Sequence, residues 1–143
     1  MGKTFIVPVD GSEHSVKALK YALDIAEETN SDILLVNVQP SYQNVHYVKR
    51  FIKESQLAEY REMMAKEVFE KMEPHIKDAK VNIEKKMLIG LPEKEIIKAA
   101  EELPGCTGII MGSRGLGMMK SKVLGSVSYS VLHESSCPVT IVP

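Results

Sequence analysis

Residues 5–12 read Phe5-Ile6-Val7-Pro8-Val9-Asp10-Gly11-Ser12, an apolar run that stops at an Asp-Gly-Ser turn signal. Directly afterwards Val16, Leu19, Leu23 and Ala26 recur at steps of three and four, the period of an amphipathic helix. A second apolar run, Ile33-Leu34-Leu35-Val36-Asn37-Val38, follows and ends at Gln39-Pro40. Strand, helix and strand in such close succession imply a crossover connection, and crossovers join parallel strands.

The same alternation continues outward from this unit. Leu57, Tyr60, Met64, Val68 and Met72 mark a long helix expected to end near Pro74. Val81-Asn82-Ile83 and Met87-Leu88-Ile89 flank a polar centre, giving a third strand of mixed character. Pro92 suits the first turn of a helix, and Glu93 and Glu95 favour its positive end. Gly108-Ile109-Ile110-Met111 makes a fourth strand. A helix carrying Leu124, Val127 and Val131 and a last strand from Pro138 to Val142 complete the order. The expected fold is α/β: one domain over residues 1–143, an open five-stranded parallel sheet with helices on both faces. Strands one, two and four are apolar on both faces and belong in the middle, whereas strands three and five belong at the edges. Residues 39–50, polar and containing Tyr42, His46 and Tyr47, read as a long surface loop, with a lid over a ligand or a partner contact as the alternatives.

Composition narrows the function. The chain has 143 residues, 44% hydrophobic and 26% charged, with a net charge of −1. Disorder is excluded, and no apolar run is long enough to span a membrane. A general nucleic-acid surface normally carries a marked basic excess, which is missing here. Two cysteines, Cys106 and Cys137, lie too far apart in sequence to suggest a zinc knuckle or a disulfide framework. They read as structural, buried residues. His14, His46, His75 and His133 have no metal-ligand spacing. The N-terminus lacks the apolar region of a signal peptide, so a cytoplasmic location is expected.

In open parallel sheets ligands bind beyond the carboxyl ends of the strands. Residues 112–126 follow strand four and read Gly112-Ser113-Arg114-Gly115-Leu116-Gly117-Met118-Met119-Lys120-Ser121-Lys122-Val123-Leu124-Gly125-Ser126. The glycines permit tight turns and close backbone approach to phosphate oxygens, and Gly125-Ser126 opens a helix whose free N–H groups favour an anion. Residues 103–133 contain no Asp or Glu, while Arg114, Lys120 and Lys122 are present. A Walker A loop would place Lys directly after its last glycine, and a dinucleotide fingerprint would place its glycines after strand one, so neither motif is present.

Gly112, Gly115, Gly125 and Ser126 match Gly-x2-Gly-x9-Gly-Ser/Thr, the signature of the ATP-binding branch of the universal stress protein A family. The chain resembles that family over its whole length, through the opening block ending Asp10-Gly11-Ser12, the Met111–Gly115 loop and the closing Ser136-Cys137-Pro138-Val139-Thr140-Ile141-Val142. The resemblance implies a Rossmann-like fold of the adenine nucleotide alpha hydrolase-like type. It implies phosphate contacts from Gly112, Ser113, Arg114, Gly115, Gly125, Ser126 and Val127, and a nucleoside framed by Pro8, Val9, Asp10, Val38 and Met111. The implied ligand is ATP, or AMP or ADP, with or without Mg²⁺, and the implied assembly is a homodimer through the last strand. Asp10 has two readings, a ribose or adenine acceptor and a helix cap with Glu13, and both stand together. Ser126 likewise reads as a cap and a phosphate contact, and Arg114 as a phosphate partner or a solvated cation.

Catalysis is weakly signalled. No nucleophile–base arrangement or paired acids can be placed, so no catalytic residue is assigned. The expected role is a nucleotide-dependent sensor or switch in stress response, with at most slow ATP hydrolysis. The competing reading is an adenylate-forming or pyrophosphatase-type enzyme of the same architecture, whose Ser-Gly-Gly-x-Asp-Ser loop is only poorly matched by Asp10-Gly11-Ser12-Glu13-His14-Ser15.

Overall fold

The computed structural model describes residues 2–115 and 124–143. Strands β1 (Thr4–Pro8), β2 (Asp32–Gln39), β3 (Ile83–Ile89), β4 (Cys106–Gly112) and β5 (Val139–Val142) form one parallel sheet in the order β3-β2-β1-β4-β5. Helices α1 (Glu13–Thr29), α2 (His46–Phe51), α3 (Glu54–Ile76), α4 (Pro92–Glu102) and α5 (Ser126–Glu134) connect them. The mixed third strand and the short fifth strand take the two edges, as their patterns require.

The two-residue period of the strands sorts the core into two layers. Phe5, Val7 and Val9 of the first strand segment, with Ile33, Leu35 and Ile110, pack against Leu19, Ala22 and Ala26 of α1 and Met72 and Ile76 of α3. Ile6, Leu34, Val36, Ile109 and Met111 face the other way, onto Ile96 and Ala100 of α4 and Val131 of α5. Every apolar residue of the central strands therefore finds a helix, which is why these strands carry no polar face.

Three details depart from the sequence reading. Helix α3 runs through Pro74 to Ile76, because Met72 and Ile76 are both buried and hold the last turn against the sheet. Residues 39–50 are more ordered than a loop. Arg61, only 3% exposed, donates Nε to the Pro40 carbonyl at 2.9 Å and Nη2 to the Ser41 carbonyl at 2.6 Å, and its Nη1 reaches Glu54. The chain then forms the exposed helix α2, where Tyr47 packs on Phe51. Leu124 lies before α5 rather than on its face, because that helix begins at Ser126.

Where α1 meets the end of β4, the backbones approach closely. A Cβ built on Gly112 would lie 2.8 Å from the His14 carbonyl oxygen. Glycine is needed there for packing, before any ligand is considered. Two stability outcomes follow. Gly112→Ala should cost about 1–3 kcal/mol in urea unfolding, the range for forcing a methyl into a filled contact. Arg61→Ala should cost about 2–4 kcal/mol by the same measurement, since two backbone carbonyls lose their buried donor. The ion pair with Glu54 contributes little to that loss, because Glu54 is largely exposed.

Candidate functional site

Between β1 and β4 the order of the sheet reverses. The chain moves from β1 to β2 and β3 on one side, and later from β4 to β5 on the other. Loops leaving β1 and β4 at their carboxyl ends therefore diverge, and a cleft of about 330 Å³ opens between them. Its size lies at the lower end of the ~300–1,000 Å³ typical of small-molecule sites.

Eleven of the twelve residues picked out by sequence line this cleft: Pro8, Val9, Asp10, Val38, Met111, Gly112, Arg114, Gly115, Gly125, Ser126 and Val127. Ser113 is not among the lining residues. Its N–H donates to the Val142 carbonyl at 2.9 Å and its own carbonyl accepts from Gly125 N at 2.8 Å, so it joins the two loop ends to β5. Gly117, Met118, Met119, Lys120 and Lys122 lie outside the described residues.

The turn after β1 is built from local hydrogen bonds. Gly11 has φ +88°, a conformation that favours glycine, and the Asp10 carboxylate accepts from Ser12 N at 2.9 Å. Ser12, not Asp10, caps α1, with its side chain accepting from Ser15 N at 3.2 Å. The helix-cap reading of Asp10 is thus displaced by two residues, because the N-cap of α1 is Ser12. A Cβ built on Gly115 would overlap Oδ2 of Asp10, so the two loops meet at this contact.

Helix α5 supplies the opposite wall. Gly125 is its N-cap, with extended backbone and no side chain of its own with which to cap the helix. The expected capping role of Ser126 does not arise, because Ser126 is already the first helical residue. The first helical bond runs from Tyr129 N to the Gly125 carbonyl at 2.9 Å. The N–H groups of Ser126, Val127 and Ser128 therefore have no partner within the helix, and all three residues line the cleft. Ser128 fixes the helix from below, donating its hydroxyl to the Gly112 carbonyl at 2.8 Å. Gly125 differs from the other glycines of the signature. A Cβ there would sit 3.5 Å from its nearest neighbours, an ordinary contact.

Six lining residues were not anticipated: Ser15, Val36, Asn37, Pro92, Ile96 and Ser128. Asn37 carries the most information. It is buried within β2, donates Nδ2 to the Val9 carbonyl at 2.9 Å and accepts from Gln39 Nε2 at 2.7 Å. A polar residue inside an otherwise apolar strand was the available signal. Among the described residues no group of three or more His, Cys, Asp or Glu side chains is placed to hold a metal ion.

Comparison with known proteins places this geometry in a family. The model of the universal stress protein family matches residues 1–143. Universal stress protein YxiE of Bacillus subtilis is 32% identical, over 99% of this chain and 99% of its own. The solved structure of MJ0577 from Methanocaldococcus jannaschii superposes with a TM-score of 0.82 at 30% identity, covering 99% of this chain and 96% of that one. A universal stress protein of Archaeoglobus fulgidus, solved in complex with dAMP, has the same fold at 19% identity and a TM-score of 0.72, over 100% of this chain and 98% of that one. With the family model matched along its full length, this chain belongs to the universal stress protein family.

Proposed function

We propose that the cleft binds an adenine nucleotide, ATP or its mono- or diphosphate, and that the protein acts as a nucleotide-dependent sensor in stress response in the cytoplasm. The observation that carries this reading is the start of α5, where the N-cap is a glycine and Ser126, Val127 and Ser128 line the cleft. Helix N-termini without a side-chain cap attract phosphate through free N–H groups and the positive end of the dipole. Gly112, Gly115 and Gly125 leave the neighbouring backbone bare, and Arg114 adds a cation to the same wall.

The remaining lining suits a nucleoside. Pro8, Val9, Val38, Ile96 and Met111 offer an apolar surface for a base, and Asp10 is a hydrogen-bond acceptor for ribose hydroxyls. Asp10 is also the one carboxylate among the described lining residues, so a nucleotide bound with Mg²⁺ would find a single acidic partner there. The family member that holds dAMP supports an adenine ligand for this fold. A set of residues that binds phosphate mainly through backbone, with no base or nucleophile assigned, favours holding ATP over cleaving it.

We further propose that two chains associate through β5. That strand is only four residues long and has one edge unpaired among the described strands, and Tyr129 and Leu132 on the adjoining α5 are exposed. Edges of this kind are commonly covered by a second copy.

Gly125→Ala is the informative substitution, because the described neighbours leave room for the extra methyl. The variant should unfold within about 1 kcal/mol of the parent and bind ATP at least about tenfold more weakly by calorimetry, a loss of about 1.4 kcal/mol. Unchanged affinity would overturn the phosphate assignment. Substitution at Gly115 is less clean, since it also displaces Asp10. Incubation with ATP and Mg²⁺ should give little phosphate release, and turnover of many equivalents per minute would favour the enzyme reading. Sedimentation velocity should give the mass of a dimer, and a monomer at all concentrations would contradict association through β5.

A further inference from the structure

At the opposite end of the sheet from the cleft, Cys106 begins β4 and Cys137 precedes β5. Their Sγ atoms lie 3.0 Å apart, although the residues are separated by 31 positions. Two thiols this close, each partly buried and partly accessible, share a hydrogen bond and need only a small side-chain rotation to reach a bonded S–S distance of ~2.05 Å. The surrounding backbone fixes both residues. Ile109 N donates to the Pro138 carbonyl at 2.8 Å, and Cys137 N donates to Ser135 Oγ at 3.0 Å. Both sulfur-bearing side chains pack on the layer formed with α4 and α5 rather than along the open edge of β5, so association through that edge leaves the pair in place.

We propose that Cys106 and Cys137 form a reversible redox site, closed to a disulfide by low-molecular-weight disulfides of the glutathione class. The bond joins the two ends of the segment that carries Gly112, Gly115, Gly125 and Ser126, and oxidation therefore ties that segment at its base. In the reaction, one of the two thiols gives up its proton and its thiolate attacks one sulfur of oxidised glutathione. The S–S bond of glutathione breaks, and one glutathione thiolate leaves and is protonated. The other cysteine then loses its proton and attacks the protein sulfur of the mixed disulfide, expelling the second glutathione as a thiol. Two protein thiols become one disulfide, and the oxidant is reduced to two thiols.

The environment of Cys106 bears on how closure depends on pH. Burial, then the hydrogen bond and charge of Cys137, push its thiol from 9.0 up to about 12. The thiolate is the nucleophile, so closure should quicken as pH rises.

Reduced protein treated with oxidised glutathione at mildly alkaline pH tests this directly. Both thiols should disappear from a thiol titration under denaturing conditions, the intact mass should show the loss of two hydrogens and no glutathione, and the chain should remain single on a non-reducing gel. The melting temperature should rise by roughly 5–10 °C and fall back with dithiothreitol, as expected for a cross-link closing a loop of this length. Cys106→Ser should stop at a single glutathione adduct and show no such rise. Persistence of two free thiols, stable glutathione adducts on the parent protein, or cross-linking between chains would each overturn the proposal. None of these readouts depends on nucleotide binding, so the redox site and the cleft stand or fall separately.

Discussion

Everything in this molecule is arranged around the point where β1 and β4 lie side by side while their outgoing loops part. Both strands are apolar on both faces, so each must be covered by helices above and below, and the chain satisfies this by winding outward in opposite directions. The gap left at the carboxyl ends is a consequence of that winding. It needs no special residues to exist, only residues that refrain from filling it. Gly112 and Gly115 have a second constraint, because backbone or carboxylate from the β1 side already occupies the space a side chain would need.

The glycines of the signature therefore divide by physical role. Gly112 allows α1 to press against the end of β4, and Gly115 lets the Asp10 carboxylate meet the loop. Gly125 meets the described residues only at ordinary contact distance, so among them no packing constraint demands a glycine there. A spacing motif treats these positions alike, whereas the structure separates packing from ligand approach. The same end of α5 shows why Ser126 matters without capping: its place in the first turn leaves a backbone N–H without a helical acceptor.

The architecture was legible in the sequence because period-two and period-three-to-four patterns were strong in Phe5–Val9, Ile33–Val38 and α1, and because polar Glu84-Lys85-Lys86 marked an edge. Most of the cleft was legible too, since strand ends and glycines announce themselves locally. What escaped depended on contacts distant in sequence. Arg61 reads as one more charged helix residue until the Pro40 and Ser41 carbonyls are brought to it. Asn37 reads as an interruption in a strand until it meets Val9. Cys106 and Cys137 read as unrelated, and only the parallel pairing of β4 with β5 brings their sulfurs together.

The central claim is that nucleotide phosphates rest on the backbone between β4 and α5. Titration of isotopically labelled protein with ATP, followed through the backbone amide resonances, tests it most directly. The amides of Gly112, Gly115, Ser126, Val127 and Ser128 should shift progressively while those of α2 and β3 stay in place. Shifts confined to other parts of the molecule, or none at all at millimolar ATP (roughly −4 kcal/mol of binding or weaker), would contradict it.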